Sequence, residues 1–447
     1  MQKKIAYSAL LAFLMLAPAA YAQLDQLFNK IFERVLITDF QTSGTGVHAN
    51  HFIPAATYAS NQLTPALNSM ISRNLSSLPL PATSAGVTFD FSSGQILQIS
   101  QSLGPIFAET AQTLGKGRFN MGLNYTYMNL AKLRGVRTED IRFTFTHEDV
   151  NQPGLGDNPN ESDLVDLALG LDVSAHTFAA FGTYGLASNL DVGVLIPFIN
   201  ISLNGETKAV IESFTFASSG NANHRFNNDP LDPDLDDNVP YESIATPQSA
   251  TGLGDVGLRL KYSFLRGRTV ESAALLDIRL PTGDEHDFLG TGKATAKLTW
   301  ILSKKIGDFS PHFNLGYGRR SANLDSDQLE LTLGFSQKVV KGMNFAAAFI
   351  GQFDLNKSEV PTFFPAGTQV IHQEVQNQTT GGTAQYDKVV DLSNIPERNN
   401  DNTAIASFGF RAAPSDRVMF LGNVLLSLND GGLRSNVAPT IGATLSF

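Results

Sequence analysis

Apolar and polar positions alternate most strictly between residues 255 and 282. Apolar side chains take the even positions from Val256 to Phe264, and the pattern resumes from Val270 to Leu280. A period of two places alternate side chains on opposite faces of a β-strand. The stretch therefore predicts two strands joined by a tight turn at residues 265–268.

The same alternation predicts twelve antiparallel strands in all, with one apolar face and one mixed or polar face each. Short connections alternate with long ones, which is typical of an outer-membrane barrel. A hairpin at Val87–Ile99, or another near Arg142–Thr146, would raise the count to fourteen. The other strands are predicted at residues 118–127, 167–186, 190–203, 294–302, 309–317, 329–335, 345–355, 404–410, 418–428 and 437–447.

Two consecutive predicted strands change the phase of their alternation. Apolar residues are odd-numbered through Val173 and even-numbered from Phe178, which predicts a bulge or a turn at residues 174–177. The next strand changes phase at Pro197, which cannot donate a hydrogen bond and so marks a bulge or an unpaired edge. Paired disruptions would open a lateral gap in the wall; ordinary bulges that adjust curvature are the alternative.

The first residues have the features of a secretory signal peptide. Lys3 and Lys4 precede the apolar run Ile5–Leu16, and Ala20-Tyr21-Ala22 is a small-residue cleavage site. We therefore expect a signal peptide at residues 1–22, a helical plug or cap at residues 23–83, and the barrel at residues 84–447. Two runs of apolar residues at helical spacing support the plug, which we expect at the periplasmic mouth: Leu24, Leu27, Phe28, Ile31 and Val35, then Leu63, Leu67, Met70 and Ile71.

Composition narrows the class of protein further. The 447 residues include no Cys, which excludes a disulfide scaffold, and the net charge of −10 offers no global footprint for nucleic acid. No apolar run after residue 16 is long enough for a transmembrane helix. The prediction is an all-β transmembrane barrel in the outer membrane of a Gram-negative bacterium, with lipid, the barrel assembly machinery and a small solute as partners and no cofactor.

Charged and polar residues on the inner face are the candidate site residues. Either opposite charges pair and fill the lumen, or they form a constriction that selects solutes. Some inner positions are apolar or small, as at Met419, Leu421 and Leu425, and at Ala346, Ala348 and Ile350. The lumen-lining candidates are Arg259, Lys261, Glu271, Asp277, Arg279, Lys293, Lys297, His312 and Glu330.

The last strand carries a candidate assembly signal. Gly442, Leu445 and the terminal Phe447 lie on a phased strand that ends in an aromatic residue. This resembles the signal by which the insertion machinery engages the last strand of an outer-membrane barrel. Trp300 lies on an apolar face near a strand end, as expected of an interfacial aromatic girdle.

Other chemistry has weaker support in the sequence. Five Asp between Asp229 and Asp237 could supply oxygens to Ca²⁺, but the turn glycine and closing Glu of a helix-loop-helix site are missing, so a solvated acidic loop is favoured. No two His have helical metal-ligand spacing, and there is no Gly-x-Ser-x-Gly motif. An enzyme would need a Ser/His or Asp/His pair on adjacent strands.

Two short motifs resemble those of an outer-membrane family. Thr251-Gly252-Leu253-Gly254-Asp255 and Leu280-Pro281-Thr282-Gly283-Asp284 are similar to the paired motifs of the putative transporters named for the meta-cleavage pathway of phenol degradation. Residues 102–105 with Gly115-Lys116-Gly117 resemble the lead-in to that family's first strand. Such barrels are similar in outline to long-chain fatty-acid transporters, which carry an N-terminal hatch and a lateral opening. The resemblance implies passive uptake of small hydrophobic or aromatic compounds; the alternatives are a general diffusion porin and a barrel enzyme.

Overall fold

The computed structural model describes residues 23–38, 40–42, 52–76, 89–90, 97–98, 106–146, 164–212, 224–226, 244–245, 247–267, 269–320, 326–356, 368–376, 383–415 and 417–447. The signal peptide, the family-like residues 102–105 and the Asp229–Asp237 loop lie outside these residues. No helix among them is long and apolar enough to cross a bilayer.

Twelve long antiparallel strands close a barrel in the described part of the chain, as predicted. Each strand pairs with its neighbours in sequence, and the last pairs with the first. The strands are β1 (Phe119–Leu133), β2 (Leu164–Ala187), β3 (Leu190–Glu212), β4 (Gly257–Arg266), β5 (Val270–Arg279), β6 (Thr295–Lys304), β7 (Phe309–Arg319), β8 (Gln328–Val340), β9 (Met343–Asp354), β10 (Thr403–Ala412), β11 (Val418–Ser427) and β12 (Val437–Ser446).

Shorter strands extend the wall or form separate two-stranded sheets, and none of them adds a thirteenth full-length strand to the barrel. Ile141–Thr146 pairs with the outer end of β2, and Gln248–Leu253 pairs with β3. The predicted hairpin within Val87–Ile99 is present as the pair Phe89–Asp90 and Leu97–Gln98 in a sheet of its own. The remaining short strands are Val136–Arg137, Ile244–Ala245 and Leu433–Ser435 in the wall, and the pairs Phe40–Thr42 with His224–Phe226 and Thr368–Gln376 with Thr383–Asp391.

All the short turns lie at one end of the barrel. The same end holds the start of β1 and the end of β12, which pair along the seam of the barrel. There the amide of Phe119 donates to the carbonyl of Phe447 at 3.0 Å, and the amide of Phe447 donates back at 2.8 Å. The long connections lie at the other end. In outer-membrane barrels the short turns are periplasmic, so we call the two ends periplasmic and extracellular.

The faces of the barrel follow the predicted phase. On β4, Leu260 and Tyr262 are 41% and 48% exposed, whereas Lys261 between them is 5% exposed. The apolar side chains therefore point outwards, where they meet lipid in a membrane, and the charges point inwards. Trp300 also points outwards, edge-on to Phe313. An outward row of aromatic rings near the periplasmic end joins Phe309, Phe335, Phe345 and Phe410, with centroids 5.3–6.1 Å apart.

The prediction of a bulge or a turn at residues 174–177 is wrong. The pairing of β2 with β3 is continuous from Leu164 to Gly185, and odd-numbered side chains of β2 point inwards along its whole length. With 24 residues, β2 is more than twice the length needed to cross a bilayer. Its extracellular half packs its inward residues against an apolar core, whereas its periplasmic half exposes apolar residues outwards. The apolar surroundings of β2 therefore change from the inner face to the outer face near residues 174–177, while the strand itself continues without a break.

Pro197 lies at a bulge, one of the two alternatives predicted, because three residues, 254–256, lie opposite Ile196 and Pro197. It faces Ala179 of β2 in regular register, but on its other side the partner changes. Residues 190–195 pair with β4, and residues 198–203 pair with Gln248–Leu253. The wall is therefore interrupted at Ile196-Pro197, where residues 254–256 pass from one strand to the next. The carbonyl of Pro197 still accepts the amide of Gly254 at 2.8 Å.

The N-terminal residues form helices that sit in the extracellular mouth. A first helical stretch runs through a 3-10 turn (Leu24–Gln26), α1 (Leu27–Glu33) and a wide turn (Arg34–Thr38); a second runs through α2 (Ile53–Tyr58), a wide turn (Ala59–Leu63) and α3 (Thr64–Ser76). Arg73 pairs with Asp354 at the extracellular end of β9, at 2.8 Å. Phe32 packs edge-on against Phe143 and Phe145. The predicted location at the periplasmic mouth is wrong, because the apolar surface that covers these helices lies on the extracellular halves of β2 and β3.

The seam supports a prediction about insertion. Replacing Leu445 and Phe447 with Asp should block assembly, because both side chains face outwards beside β1 and would bring charge onto the lipid-facing seam. Gly442 is also constrained, since a Cβ there would overlap Asn124 Oδ1 across the seam. Heat-modifiable migration of outer-membrane fractions measures assembly, with Leu445→Ile and Phe447→Tyr as the matched control. Normal migration of the Asp variant would contradict the prediction.

Candidate functional site

The lumen is crossed by an internal segment, residues 106–114, that leads directly into β1. This inner segment, from Ile106 to Leu114, has no strand or helix of its own, yet eight of its nine residues are buried. Its first residues lie against β8 and β10, and its last residues reach β3 and the β2–β3 turn. The inner segment therefore closes the periplasmic half of the barrel.

Two wall glycines make room for this segment. A Cβ at Gly409 would come within 2.7 Å of Ile106 Cδ1, and a Cβ at Gly334 would lie 3.2 Å from Ala108 Cβ. Both positions lie on strands whose inward residues are otherwise larger or polar. The wall is thus shaped to hold the start of the inner segment closely, which a loosely placed loop would not require.

Glu109 is the electrostatic anchor of the inner segment. Its carboxylate accepts hydrogen bonds from Arg259 Nη1 and Lys261 Nζ, both at 3.0 Å. Lys261 also donates to the carbonyl of Thr110 at 3.1 Å. Asn314 bonds the backbone of Glu109 twice, accepting its amide at 3.1 Å and donating to its carbonyl at 3.0 Å. Charge-assisted bonds of this kind are about twice as strong as neutral ones.

Four further contacts hold the rest of the segment. The amide of Ala111 donates to Ser303 Oγ at 3.0 Å, and Gln112 bonds Glu271. The amide of Leu114 donates to both carboxylate oxygens of Asp191, at 2.9 and 3.1 Å. Thr113 Oγ1 donates to the carbonyl of Ser188 in the β2–β3 turn. The inner segment is therefore fixed to strands on both sides of the lumen.

Ser303 and His312 form a Ser/His pair on adjacent strands, with Oγ and Nδ1 3.0 Å apart. This is the arrangement that an enzyme hypothesis requires. However, Ser303 Oγ already accepts the amide of Ala111, and His312 Nε2 has no hydrogen-bond partner among the described residues. In a Ser-His-Asp triad, a third group orients the histidine through its second nitrogen. The pair serves to anchor the inner segment.

Most predicted lumen residues lie on the inner face and belong to two groups of ion pairs. Arg259 bridges Glu109 and Asp277, and Asp277 also accepts Arg279 Nε at 3.1 Å. Lys297 pairs with Glu330 at 3.0 Å, and Gln352 donates to the same carboxylate. Lys293 departs from the prediction: it lies ahead of β6, in the β5–β6 connection, with an exposed side chain. Strand alternation did not apply there because the residue precedes the strand.

The inner segment was not predicted from the sequence. It has no periodic pattern, and its helix and strand signals are weak. One signal was available: Glu109 is the only charged residue between Asp90 and Lys116. A single carboxylate within an uncharged stretch needs a partner if it is buried, and Arg259 and Lys261 were already predicted to face inwards.

The two family-like motifs meet at the extracellular rim of β4 and β5. Asp255 of the first motif accepts the amide of Gly283 from the second at 3.1 Å, and it also accepts the amide and hydroxyl of Thr291. Thr282 Oγ1 donates to the carbonyl of Gly254 at 2.8 Å. The motifs therefore fix the β5–β6 connection beside the wall interruption at Pro197.

Two adjoining cavities lie in the lumen between the helices and the inner segment. The first, of about 100 Å³, is mainly apolar and lies beside the wall interruption, lined by Leu75, Pro197, Ile199, Phe288 and Leu289. The second, of about 130 Å³, lies beside the inner segment and is mainly charged. Arg279, Thr295 and Arg320 line both. We refer to them as the apolar cavity and the charged cavity.

The start of the N-terminal helices is tied to the same rim. The amide of Asp25 donates to the carbonyl of His286 at 3.0 Å, and the amide of Leu24 donates to Asp287 Oδ1 at 3.3 Å. His286 Nδ1 lies 2.7 Å from Asp25 Oδ2, and this hydrogen bond raises the pKa of His286 above its ordinary value. The helices and the β5–β6 connection are thus joined at the mouth of the apolar cavity.

The described residues contain no group of three or more His, Asp or Glu placed to hold a metal ion. The residues considered for Ca²⁺ binding, Asp229–Asp237, lie outside the described residues.

No protein-family model matches this chain, and no curated protein matches its sequence. Solved structures of outer-membrane barrels do match. A Pseudomonas aeruginosa FadL homologue is 9% identical over 74% of this chain and 88% of its own, with a TM-score of 0.29. The P. putida toluene transporter TodX is 11% identical over 74% and 88%, with a TM-score of 0.28. CdiB from Acinetobacter baumannii is 8% identical over 97% and 73%, with a TM-score of 0.27.

Proposed function

We propose that this chain is an outer-membrane channel for the passive uptake of small hydrophobic or aromatic compounds. The observation that carries the proposal is the double closure of the lumen, by helices at the extracellular mouth and by the inner segment at the periplasmic end. A general diffusion porin needs an open, water-filled lumen. A barrel closed twice, with small cavities between the closures, is suited to one solute at a time.

The interior supports an apolar solute in part. Ala346, Ile350, Leu421 and Leu425 are buried on the inner face and belong to one apolar core with the N-terminal helices and Phe107. Ligand pockets typically combine such apolar walls with a few placed polar groups. A small aromatic solute gains by leaving water at these walls.

The wall interruption suggests an exit. Ile196 and Val194 face lipid on the outside at this level, 36% and 37% exposed, and the apolar cavity lies directly behind Pro197. A solute in that cavity is separated from the bilayer by one interrupted edge between β3 and β4. Sideways release there would deliver an apolar solute to lipid without passing the inner segment. Adjustment of barrel curvature remains the alternative role of the interruption.

The location and partners follow from the same architecture. The outward apolar belt belongs in the outer membrane of a Gram-negative bacterium, and the seam strand β12 is the segment that the barrel assembly machinery would engage. Transport of this kind is passive and needs no cofactor. The chain acts as a channel rather than an enzyme, since its Ser/His pair serves to hold the inner segment.

Deletion of residues 24–80 tests the proposal against a general porin. Full-length protein in planar bilayers should show little steady conductance and should admit a neutral aromatic probe into liposomes in preference to a sugar of similar size. The deletion should reduce that preference, and it should raise conductance only together with Glu109→Gln, because the inner segment still closes the periplasmic half. Deletion of residues 368–391, a separate hairpin of the β9–β10 connection, is the control. Large, stable conductance in full-length protein without preference for the aromatic probe would favour the porin.

A further inference from the structure

The charged cavity has an excess of positive charge. Five cationic side chains and three carboxylates line it, although the chain as a whole has a net charge of −10. Charge of one sign gathered in a recess with low-dielectric walls concentrates counter-ions there. The lining charges are Arg259, Arg279, Lys297, Arg319 and Arg320, with Glu109, Asp277 and Glu330.

The cations nearest the apolar cavity are Arg279 and Arg320, which line both cavities. Arg279 contacts Asp277 through Nε, and Arg320 Nη2 donates to Gln328 Oε1 at 2.6 Å. A guanidinium group has five N–H donors in a fixed fork that matches a carboxylate. Beside these two arginines, the apolar part of the lining includes Ile199, Phe288 and Leu289. The one carboxylate in this lining, Asp255, already accepts hydrogen bonds from Gly283 and Thr291. Cationic and apolar surfaces thus meet within one recess.

We propose that the two cavities form one binding site for a small aromatic carboxylate, with its ring in the apolar cavity and its carboxylate at Arg279 and Arg320. This rests on the proposed function and narrows its solute class to an amphipathic monoanion. A neutral hydrocarbon would leave the arginines without a role in binding, and an inorganic anion would leave the apolar walls without one. Only a solute with both parts contacts both surfaces.

Paired probes of similar size test this assignment. Binding of benzoate and of benzyl alcohol to the purified full-length protein in detergent is measured by isothermal titration, and uptake of each into liposomes is measured in parallel. Benzoate should bind more tightly than benzyl alcohol. Arg279→Gln should weaken benzoate binding about tenfold, the usual effect of losing a charged hydrogen-bond partner, and leave benzyl alcohol unchanged. Lys304→Gln, at the exposed periplasmic end of β6, should change neither.

Arg320→Gln provides a second variant if Arg279→Gln does not fold, and it should weaken benzoate binding in the same way. Equal binding of both probes, or benzoate binding that neither arginine variant affects, would overturn this inference. Uptake of benzyl alcohol would then still support a channel for aromatic compounds. If neither probe enters protein-containing liposomes faster than protein-free liposomes, the proposed function itself is overturned.

Discussion

Glu109→Gln is expected to open the periplasmic half of the barrel. The substitution removes the charge that Arg259 and Lys261 hold, and it leaves two buried cations facing a neutral amide. Breaking a buried pair by removing one partner typically costs about 3–5 kcal/mol. That is enough to release the inner segment, so the amides of Ala111 and Leu114 should exchange faster. Single-channel conductance should rise several-fold when the substitution is combined with deletion of residues 24–80, because the helices otherwise still close the extracellular mouth.

The matched control is Glu139→Gln, which removes a carboxylate from an exposed pair with Arg137. Exposed ion pairs contribute little, so in combination with the same deletion conductance should stay at the level of the deletion alone. A complementary test uses the absence of Cys from the chain. Cysteines at Ala111 and Ala273, which share one buried cluster, should lock the segment when oxidised. Increased conductance of Glu109→Gln with the deletion that persists when both cysteines are added and oxidised would show that another region had opened.

The second large effect is expected on the outside of the same strand. Leu260→Arg should destabilise the barrel by about 2–4 kcal/mol if the side chain lies near the bilayer midplane, because a guanidinium group would replace an apolar side chain in lipid. Urea unfolding of the protein in liposomes measures this loss, with Leu260→Phe as the apolar control. A loss for Leu260→Phe as large as that for Leu260→Arg would contradict the assigned face.

The neighbouring Lys261 is not a neutral control for this experiment. From the sequence we would expect a lumen-facing position to tolerate substitution much better than a lipid-facing one. The structure shows Lys261 buried and bonded to Glu109 and Thr110. Its substitution breaks the same anchor as Glu109→Gln, so the two inward variants should raise conductance alike when residues 24–80 are deleted, whereas Leu260→Arg should lower stability without opening the lumen.

The faces of the wall could be predicted from sequence because one rule governs them. Along β4 and β5, lipid meets one side and a polar lumen the other, so the alternation of Leu260 with Lys261 indicates both strand and orientation. The rule fails where the surroundings reverse. At residues 174–177 the apolar phase shifts, because the extracellular half of β2 packs inwards on the helices. The sequence alone cannot distinguish such a reversal from a bulge.

The candidate site was harder to predict from the sequence than the wall, because contacts between residues far apart in the chain create it. Arg259 and Lys261 could be assigned to the inner face, but their common partner Glu109 lies about 150 residues away in a segment without periodicity. The prediction of where the helices lie failed for a related reason. Helical spacing shows that α1 and α3 need an apolar surface, but it does not show which end of the barrel offers one.

The inner segment also constrains the order of events during biogenesis. It runs inside the lumen and continues into β1, whose first residue is bonded to Phe447 at the seam. Everything before Ile106, including the helices in the extracellular mouth, is therefore attached through a tether that passes along the inside of the wall. Once β1 and β12 are hydrogen-bonded to each other, the tether can no longer enter the lumen between their edges. The N-terminal residues can then reach the extracellular mouth only along the barrel axis, so entry between the open edges before closure is the route that avoids threading the finished barrel.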